Sequence, residues 1–268
     1  MSANPQTFLE KKNPHERDQY ISFDEGPHIY TIRGDSGYKS VTTFNHAHFD
    51  KFDADKIISN MMRSKNWTQS KYYPMTADEI KASWDKNRDE AAAAGTKMHY
   101  DIECYYNDCP NENDSIEYAY FNKFLEDFPE LNSRPYRTEW MVYHEELRLA
   151  GSIDMIFENA DGTLQIYDWK RCKEIVKTTS FGKCGNKECI EHLPDTNYWH
   201  YCLQLNTYKA IIEEKYGKKV TDMYLVCLHP DNKNKSYQRI KVADLQTEVK
   251  DLFALRADEC HAYKCKLN

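Results

Sequence analysis

The sequence predicts an α/β protein of the α+β kind, in which a helical lobe precedes a β-rich centre. Its 268 residues are 40% hydrophobic and 29% charged, with only 9 glycines and 9 prolines, so neither a disordered nor a fibrous chain fits. This length suits one α/β core with an added lobe. The predicted elements follow in the order small β region, helices, three strands, helix, two strands and helix.

Three segments are expected along the chain. Residues 1–18 are polar, and we expect a flexible N-terminus there. Residues 19–90 are predicted to form an N-terminal hairpin and a helical lobe, because the turn signal Gly34-Asp35-Ser36-Gly37 lies between short β-rich pieces and the "TADE" from Thr76 matches a helix capping box. Residues 91–268 are predicted to form the main core.

Apolar spacing of about 3.6 residues and β-rich runs separated by turn residues predict the remaining elements. Helices are predicted over about 53–66, 76–106, 115–127, 197–216 and 243–258. Strands are predicted for 136–143, 147–158, 163–172, 222–230 and 237–242. The first three strands are expected to form an antiparallel meander.

Composition also bounds the location and partners. No apolar run approaches the roughly 18 residues that span a membrane, and we expect neither a signal peptide nor a membrane partner. Nine cysteines in such a chain are expected to be reduced thiols in an intracellular protein. The formal charge of −7 argues against a protein that coats nucleic acid non-specifically, but it leaves room for a local basic track.

Two aspartates interrupt the central hairpin. If residues 160–162 form a three-residue loop with Gly162 in the left-handed conformation, residues whose numbers sum to 322 face each other, and Asp154 then faces Asp168. Lys170 shares the face of Asp168 because side chains alternate along a strand. Two carboxylates this close share a proton or are bridged by a cation, and oxygen ligands suit Mg²⁺ or Mn²⁺.

Two helices carry matching partners. His99 and Glu103 lie four residues apart on one predicted helix face, and Gly95 before them is expected to allow close approach of another backbone. Gln204 and Tyr208 have the same spacing on a later helix.

Each of these short motifs is weak alone. Asp231-Asn232-Lys233 repeats the D-x-K pattern in a predicted turn, and Gln69 with Tyr73 repeats Q-x-x-x-Y. An isolated D-x-K is better explained as a surface ion pair, and an isolated helical histidine as a core residue. The order of the four elements is therefore the informative signal.

That order stands in this chain as "GTKMHYDIE", "GSID", "DWK" and "QLNTY" over about residues 91–210, and it resembles the RecB-like branch of the PD-(D/E)xK nuclease superfamily. The resemblance implies a restriction-endonuclease-like core with a central mixed sheet flanked by helices. The segment "SVTTF" near the start is also similar to the mitochondrial genome maintenance exonuclease and its viral relatives. The expected location of the protein is the cytoplasm, the nucleus or a viral replication compartment.

The function implied by this resemblance is a metal-dependent deoxyribonuclease. We expect an exonuclease that hydrolyses phosphodiesters at DNA ends or in single strands during replication, recombination or repair. A structure-specific endonuclease with the same core and a non-catalytic nucleic-acid-binding module remain alternatives. The sequence shows no identifiable subunit interface.

The same resemblance assigns roles to residues. It implies that His99, Asp154 and Asp168 bind Mg²⁺ or Mn²⁺, that the main-chain carbonyl of Trp169 completes this shell, and that Lys170 positions the attacking water.

Four more residues receive supporting roles. Gln204 and Tyr208 would support the site or the substrate phosphate. Glu103 and Glu139 could serve a second metal ion; alternatively Glu103 supports His99, and Glu139 is a solvated strand residue.

Other polar and aromatic clusters leave open choices. The basic run 170–177, with Lys183 and Lys187, is either a phosphate track or a solvated loop. Aromatic residues of the lobe could stack unpaired bases, although most are expected to pack: Trp67, Tyr72, Tyr73 and Trp84.

A second metal site is also conceivable. Cys184, Cys189 and His192, flanked by Cys172 and Cys202, are one ligand short of a clear zinc pattern, and the tight spacing of an iron–sulfur site is absent. Reduced, unligated thiols are therefore the expected state of these cysteines.

Overall fold

The computed structural model describes residues 7–109, 112–179 and 182–267. Its helices are α1 Thr7–Lys12, α2 Val41–His46, α3 Ala54–Met62, α4 Ala77–Tyr106, α5 Ile116–Asp127, α6 Pro129–Asn132, α7 Asn197–Lys215 and α8 Gln246–Leu267. Its strands are β1 Ile21–Asp24, β2 Ile29–Ile32, β3 Lys39–Ser40, β4 Pro135–His144, β5 Leu149–Glu158, β6 Leu164–Lys170, β7 Val220–Cys227 and β8 Gln238–Lys241.

Strands β3 to β8 form one mixed sheet, and β1 and β2 form a separate hairpin. One edge of β5 pairs with antiparallel β4. Its other edge is shared by parallel β3 near Leu149 and by antiparallel β6 from Met155 onward. The β6 strand then pairs in parallel with β7, and β7 pairs antiparallel with β8. The predicted fold class, a mixed sheet flanked by helices, is confirmed.

The β5–β6 hairpin has the predicted register. Its pairs run from Glu158 with Leu164 to Met155 with Tyr167, so that the residue numbers sum to 322. Gly162 in the loop has a φ of 80°, which a residue without Cβ adopts at no steric cost. The ladder ends at Met155 and Tyr167. The two strands therefore part at the next residues, which are the two predicted aspartates.

Alternation along the strands builds an apolar core on each side of the sheet. Even-numbered residues of β6 such as Ile166 join a core with α2, α7 and α8. Odd-numbered residues such as Tyr167 and Trp169 join a second core with α4 and α5, where Trp169 packs edge-on against Phe121 and Phe124. Helices thus cover both faces of the sheet, so that polar side chains on the sheet can be buried beneath them.

Helix α4 joins the lobe to the core. The predicted capping box is present, because the Thr76 hydroxyl accepts from the Glu79 amide and the Glu79 carboxylate accepts from the Thr76 amide. In its first half Ile80 is buried, as is Ile58 of α3, which packs against α4. In its second half Met98 packs against the sheet. The predicted segment boundary at residues 90 and 91 falls inside this single helix.

The N-terminal segment differs from the expected flexible chain. Leu9 is fully buried, and its amide donates to the Asn107 side chain at 3.0 Å. Arg17 donates to a carbonyl of β4 at 3.1 Å and lies 4.0 Å from the centre of a β4 tyrosine ring. Residues 7–18, which the sequence predicts to be flexible, are held against the core by one apolar anchor and several polar contacts, although the stretch is polar on average. Residues 1–6 lie outside the described part of the chain.

None of the helices in the described segments combines the length and the apolar character that crossing a bilayer requires.

Two glycines near the predicted site have opposite surroundings. A Cβ built on Gly151 would lie 2.7 Å from the Tyr208 hydroxyl and 2.8 Å from its Cε1 atom. A Cβ built on Gly95 meets nothing within 4 Å. The expected close backbone approach at Gly95 is therefore wrong, since this face of α4 is open.

We predict that Gly151→Ala lowers the free energy of unfolding by about 1–3 kcal/mol, because the new methyl group overlaps the Tyr208 ring. The matched control Gly95→Ala should raise it by about 0.5–1 kcal/mol, because it replaces glycine inside a helix at an open position. Urea denaturation monitored by circular dichroism measures both changes. Equal stability of the two variants would contradict the packing at Gly151.

Candidate active site

Three side chains from three elements meet where β5 and β6 part. His99 comes from α4, Glu139 from β4 and Asp154 from β5, and one ligand atom of each lies within 4.8 Å of the others. The His99 Nδ1 atom is 3.5 Å from Asp154 Oδ2 and 3.8 Å from Glu139 Oε1. His99 is placed there because its neighbours on α4, such as Met98, are anchored in the apolar core.

The D-x-K residues stand beside this group of three. Lys170 Nζ lies 2.5 Å from Asp168 Oδ2, and only 3% of the Asp168 side chain is exposed. The main-chain amide of Trp169 donates to Asp154 Oδ2 at 2.9 Å, which ties β6 to β5 after the regular ladder has ended. The predicted convergence of the two aspartates and the lysine is therefore observed, with Asp168 facing the lysine rather than belonging to the group of three.

Burial sets the charge state of these groups. Burial raises the pKa of Asp168 to about 7; the Lys170 ammonium opposes this rise and the Asp154 carboxylate adds to it. Burial likewise raises the pKa of Asp154, against the effect of His99 and Lys170. Ionisation of both aspartates is thus unfavourable when no metal ion is bound.

The basic groups of the site shift in the opposite sense. Burial alone would lower the pKa of His99, but Asp154 and Glu139 outweigh it and raise that pKa to about 9. For Lys170 too, burial is outweighed by Asp168 and Asp154, and its pKa rises. A protonated Lys170 has no lone pair with which to ligate a metal ion.

The donor set fits a divalent cation. The two carboxylates are ligands typical of Mg²⁺ and Mn²⁺, the imidazole nitrogen is a ligand that transition metals accept, and Asp168 adds a buried oxygen that lies 2.5 Å from the Lys170 ammonium. A bound cation lowers the repulsion between these buried carboxylates.

Glu139 occupies an unusual backbone position. Its neighbours Thr138 and Trp140 pair with Met155 and Ile153, but Glu139 itself has a φ of 42°. Such a conformation costs a residue with Cβ about 1–3 kcal/mol, and strain of this kind concentrates at functional sites. The sequence left Glu139 as either a metal ligand or a solvated strand residue. The structure does not support the solvated residue, because Glu139 belongs to the group of three.

Glu103 differs from Glu139. Glu103 is buried one helical turn after His99 and borders a cleft that His99 and Glu139 also line. Its carboxylate is not part of the group of three.

Helix α7 covers the other side of the site. Tyr208 is buried, its hydroxyl interacts with the Gln204 side chain, and its ring packs on Gly151. Two turns before Tyr208, the ring of Tyr201 lies 4.8 Å from Lys170 Nζ. Sequence reasoning missed Tyr201, although its spacing of three residues before Gln204 places it on the same helix face.

Two further residues near Glu139 were also missed. Ser152 Oγ donates to Glu139 Oε2 at 2.8 Å. Tyr30 of β2 is buried beside the Ser152 amide and the Glu139 carboxylate. Ser152 precedes Asp154 by two residues and so shares its face, which is a usable sequence signal. No sequence signal places the hairpin tyrosine here.

A cleft of about 690 Å³ is lined by His99 and Glu139 of the group of three. The β1–β2 hairpin borders it with Phe23 and His28, and α4 borders it with Gly95 and Tyr100. Tyr100 is 45% exposed, so that an aromatic surface stands beside His99.

The remaining clusters contribute less to the site. In the basic run, Arg171 pairs with Glu117 and Lys173 with Asp231. The lobe aromatics contact one another, as in the 2.8 Å hydrogen bond from Trp84 to the Tyr72 hydroxyl. Neither set borders the cleft.

The cysteine and histidine candidates are not assembled into a metal site. Within the described ranges, potential ligand atoms gather only at His99, Glu139 and Asp154. His192 instead lies 3.2 Å from Glu248.

Comparison with known proteins identifies the class. Buried carboxylates, a histidine and a lysine that meet where two strands part fit a site for a divalent cation. The sequence model of the PD-(D/E)XK nuclease superfamily matches residues 76–267, and the chain belongs to this superfamily. It is therefore a nuclease, whose family uses divalent metal ions and acts on nucleic acid.

Solved structures and curated proteins add little to this assignment. The chain is similar to the crystal structure of a "Putative exonuclease" from Eubacterium rectale, with 13% identity over 59% of this chain and 70% of that chain and a TM-score of 0.30. A similarity this low carries no argument about function. No curated protein matches the chain significantly.

We predict that Mn²⁺ stabilises the folded protein through the group of three. At a metal concentration 100 times the Kd, binding adds about 2.7 kcal/mol to the free energy of unfolding. Asp154→Asn and Glu139→Gln should lose most of this gain, whereas Glu103→Gln should keep it because Glu103 lies outside the group. Urea denaturation with Mn²⁺ and with EDTA gives the difference for each variant, and loss of the gain in Glu103→Gln would instead make Glu103 a ligand.

Proposed function

We propose that this nuclease is a metal-dependent deoxyribonuclease of the RecB-like branch, an exonuclease that acts on DNA ends or single strands. The observation that carries the proposal is the group His99, Glu139 and Asp154 beside the buried Lys170–Asp168 pair. This arrangement combines ligands for a divalent cation with a fixed ammonium, which is what phosphodiester hydrolysis requires.

The metal ligands of this proposal are His99, Glu139, Asp154 and Asp168, with Mg²⁺ or Mn²⁺ as the ion. The carbonyl of Trp169 is a further candidate ligand, as the family resemblance implies. When bound, the ion would lower the pKa of a bound water and stabilise negative charge on the phosphate. Glu103 is retained as a candidate for a second ion or as a partner of His99.

Lys170 would orient the attacking water. Its ammonium is held between the Asp168 carboxylate at 2.5 Å and the Tyr201 ring at 4.8 Å, so that it points into the site without being able to ligate the ion. A buried, fixed ammonium also stabilises the charge that develops on the phosphate oxygens.

Gln204 and Tyr208 are proposed to support this arrangement. Tyr208 packs on Gly151, three residues before Asp154, and interacts with Gln204. Together they would hold β5 against α7.

The cleft supports a single-stranded substrate. Tyr100 borders it next to His99 with an exposed ring, Phe23 borders it with a partly buried one, and exposed aromatic rings stack on unpaired bases of any sequence. This favours action on single strands or frayed ends. The process that we propose is replication, recombination or repair, in an intracellular setting. The same core can also cut internally, which leaves a structure-specific endonuclease as the second candidate.

We predict that Lys170→Met lowers the cleavage rate by on the order of 10² to 10³-fold, because a charge-stabilising donor is removed from a buried site. The Mn²⁺-dependent gain in stability should remain, since lysine is not a ligand. Initial rates on labelled DNA with Mg²⁺ measure the effect.

Lys173→Met is the matched control for Lys170→Met, because Lys173 is an exposed lysine paired with Asp231 at 3.1 Å. An Asp154→Asn preparation shows the background from host nucleases. Full cleavage by Lys170→Met above that background would refute the role of the lysine.

We also predict that the protein degrades end-labelled single-stranded DNA with Mg²⁺ and leaves a circular single strand of the same sequence intact. Short products from one labelled end would define the polarity. Cleavage of the circle by the wild type but not by Asp154→Asn would favour the endonuclease instead.

A further inference from the structure

The N-terminal hairpin lies outside the part of the chain that matches the superfamily, residues 76–267, yet it reaches the site. Tyr30 of β2 is only 6% exposed. Its hydroxyl accepts a hydrogen bond from the main-chain amide of Ser152, the residue whose side chain donates to Glu139.

The two oxygens of Glu139 have different surroundings. Oε2 accepts from the Ser152 hydroxyl at 2.8 Å. Oε1 is directed to His99, 3.8 Å from Nδ1. The serine thus fixes the rotation of the carboxylate and leaves one oxygen for the group of three.

Ser152 is supported in turn by the hairpin. Its main-chain amide lies against the Tyr30 hydroxyl, and Tyr30 is held by ring contacts to Phe23 at 4.5 Å and by its place in the main apolar core. Glu139 needs such support because its left-handed backbone does not fix the side chain through regular strand pairing.

We propose that Ser152 and Tyr30 are positioning residues that fix Glu139 for metal binding, so that the N-terminal hairpin is part of the active site. This inference rests on the proposed function, in which Glu139 is a ligand. Partners that orient metal ligands from outside the coordination shell typically contribute 10–100-fold in metal affinity.

The test is direct Mn²⁺ binding, measured by electron paramagnetic resonance of the free ion, without any substrate. Ser152→Ala should weaken binding by about 10-fold or more, while Ser152→Thr, which keeps the hydroxyl, should restore it. Tyr30→Phe should weaken binding in the same direction, whereas the matched control Tyr38→Phe, which lies away from the site beside Arg148, should not.

Two ligand variants separate this inference from the proposed function. If Asp154→Asn and Glu139→Gln lose Mn²⁺ binding while Ser152→Ala and Tyr30→Phe bind as the wild type does, the positioning role is overturned and the metal site stands. If Asp154→Asn and Glu139→Gln also bind normally, the metal assignment itself fails. Should Ser152→Ala not fold, judged by circular dichroism, the comparison of Tyr30→Phe with Tyr38→Phe decides the question.

Discussion

The structure depends on the point at which β5 and β6 part. Up to Met155 and Tyr167 the two strands are held by a regular ladder, and beyond it the Trp169 amide donates to the Asp154 carboxylate. Main-chain groups released from a ladder must find other partners when they are buried. Here the Asp154 side chain is such a partner, so the bond that joins β6 to β5 also holds a carboxylate of the candidate site.

Charge balance follows from this geometry. Asp154 and Asp168 are buried where ionisation is costly, and the protein offsets that cost with His99 and Lys170 rather than with solvent. The two cations are not equivalent: the imidazole can lose its proton and become a ligand, whereas the lysine is held by a carboxylate and the Tyr201 ring. In the proposed metal site, a bound cation would take the place of the proton on His99 and leave the Lys170 ammonium in place.

Much of this could be predicted from local sequence, and the reasons are physical. Hairpin register follows from loop length and one glycine, so the facing of Asp154 and Asp168 was predictable, and the superfamily is confirmed. The repeat "DNK" at residues 231–233 lies in a turn after β7, as its lack of context indicates. Tyr30 was not predictable, because its contact with the site spans more than a hundred residues of chain. Order in residues 7–18 was missed because one leucine among polar residues leaves no periodic signal.

Helix α4 places a constraint on the length of the chain. It carries Ile80, which packs the lobe, and His99, which belongs to the site, on one uninterrupted rod of about 45 Å. Each residue of an α-helix turns the chain by about 100°. Adding or removing one residue between Ile80 and His99 would swing the lobe around the helix axis relative to the cleft. The number of residues between Ile80 and His99 thus sets the orientation of the lobe around the helix axis relative to the cleft. Only insertions or deletions close to whole helical turns, such as seven or eleven residues, preserve this orientation.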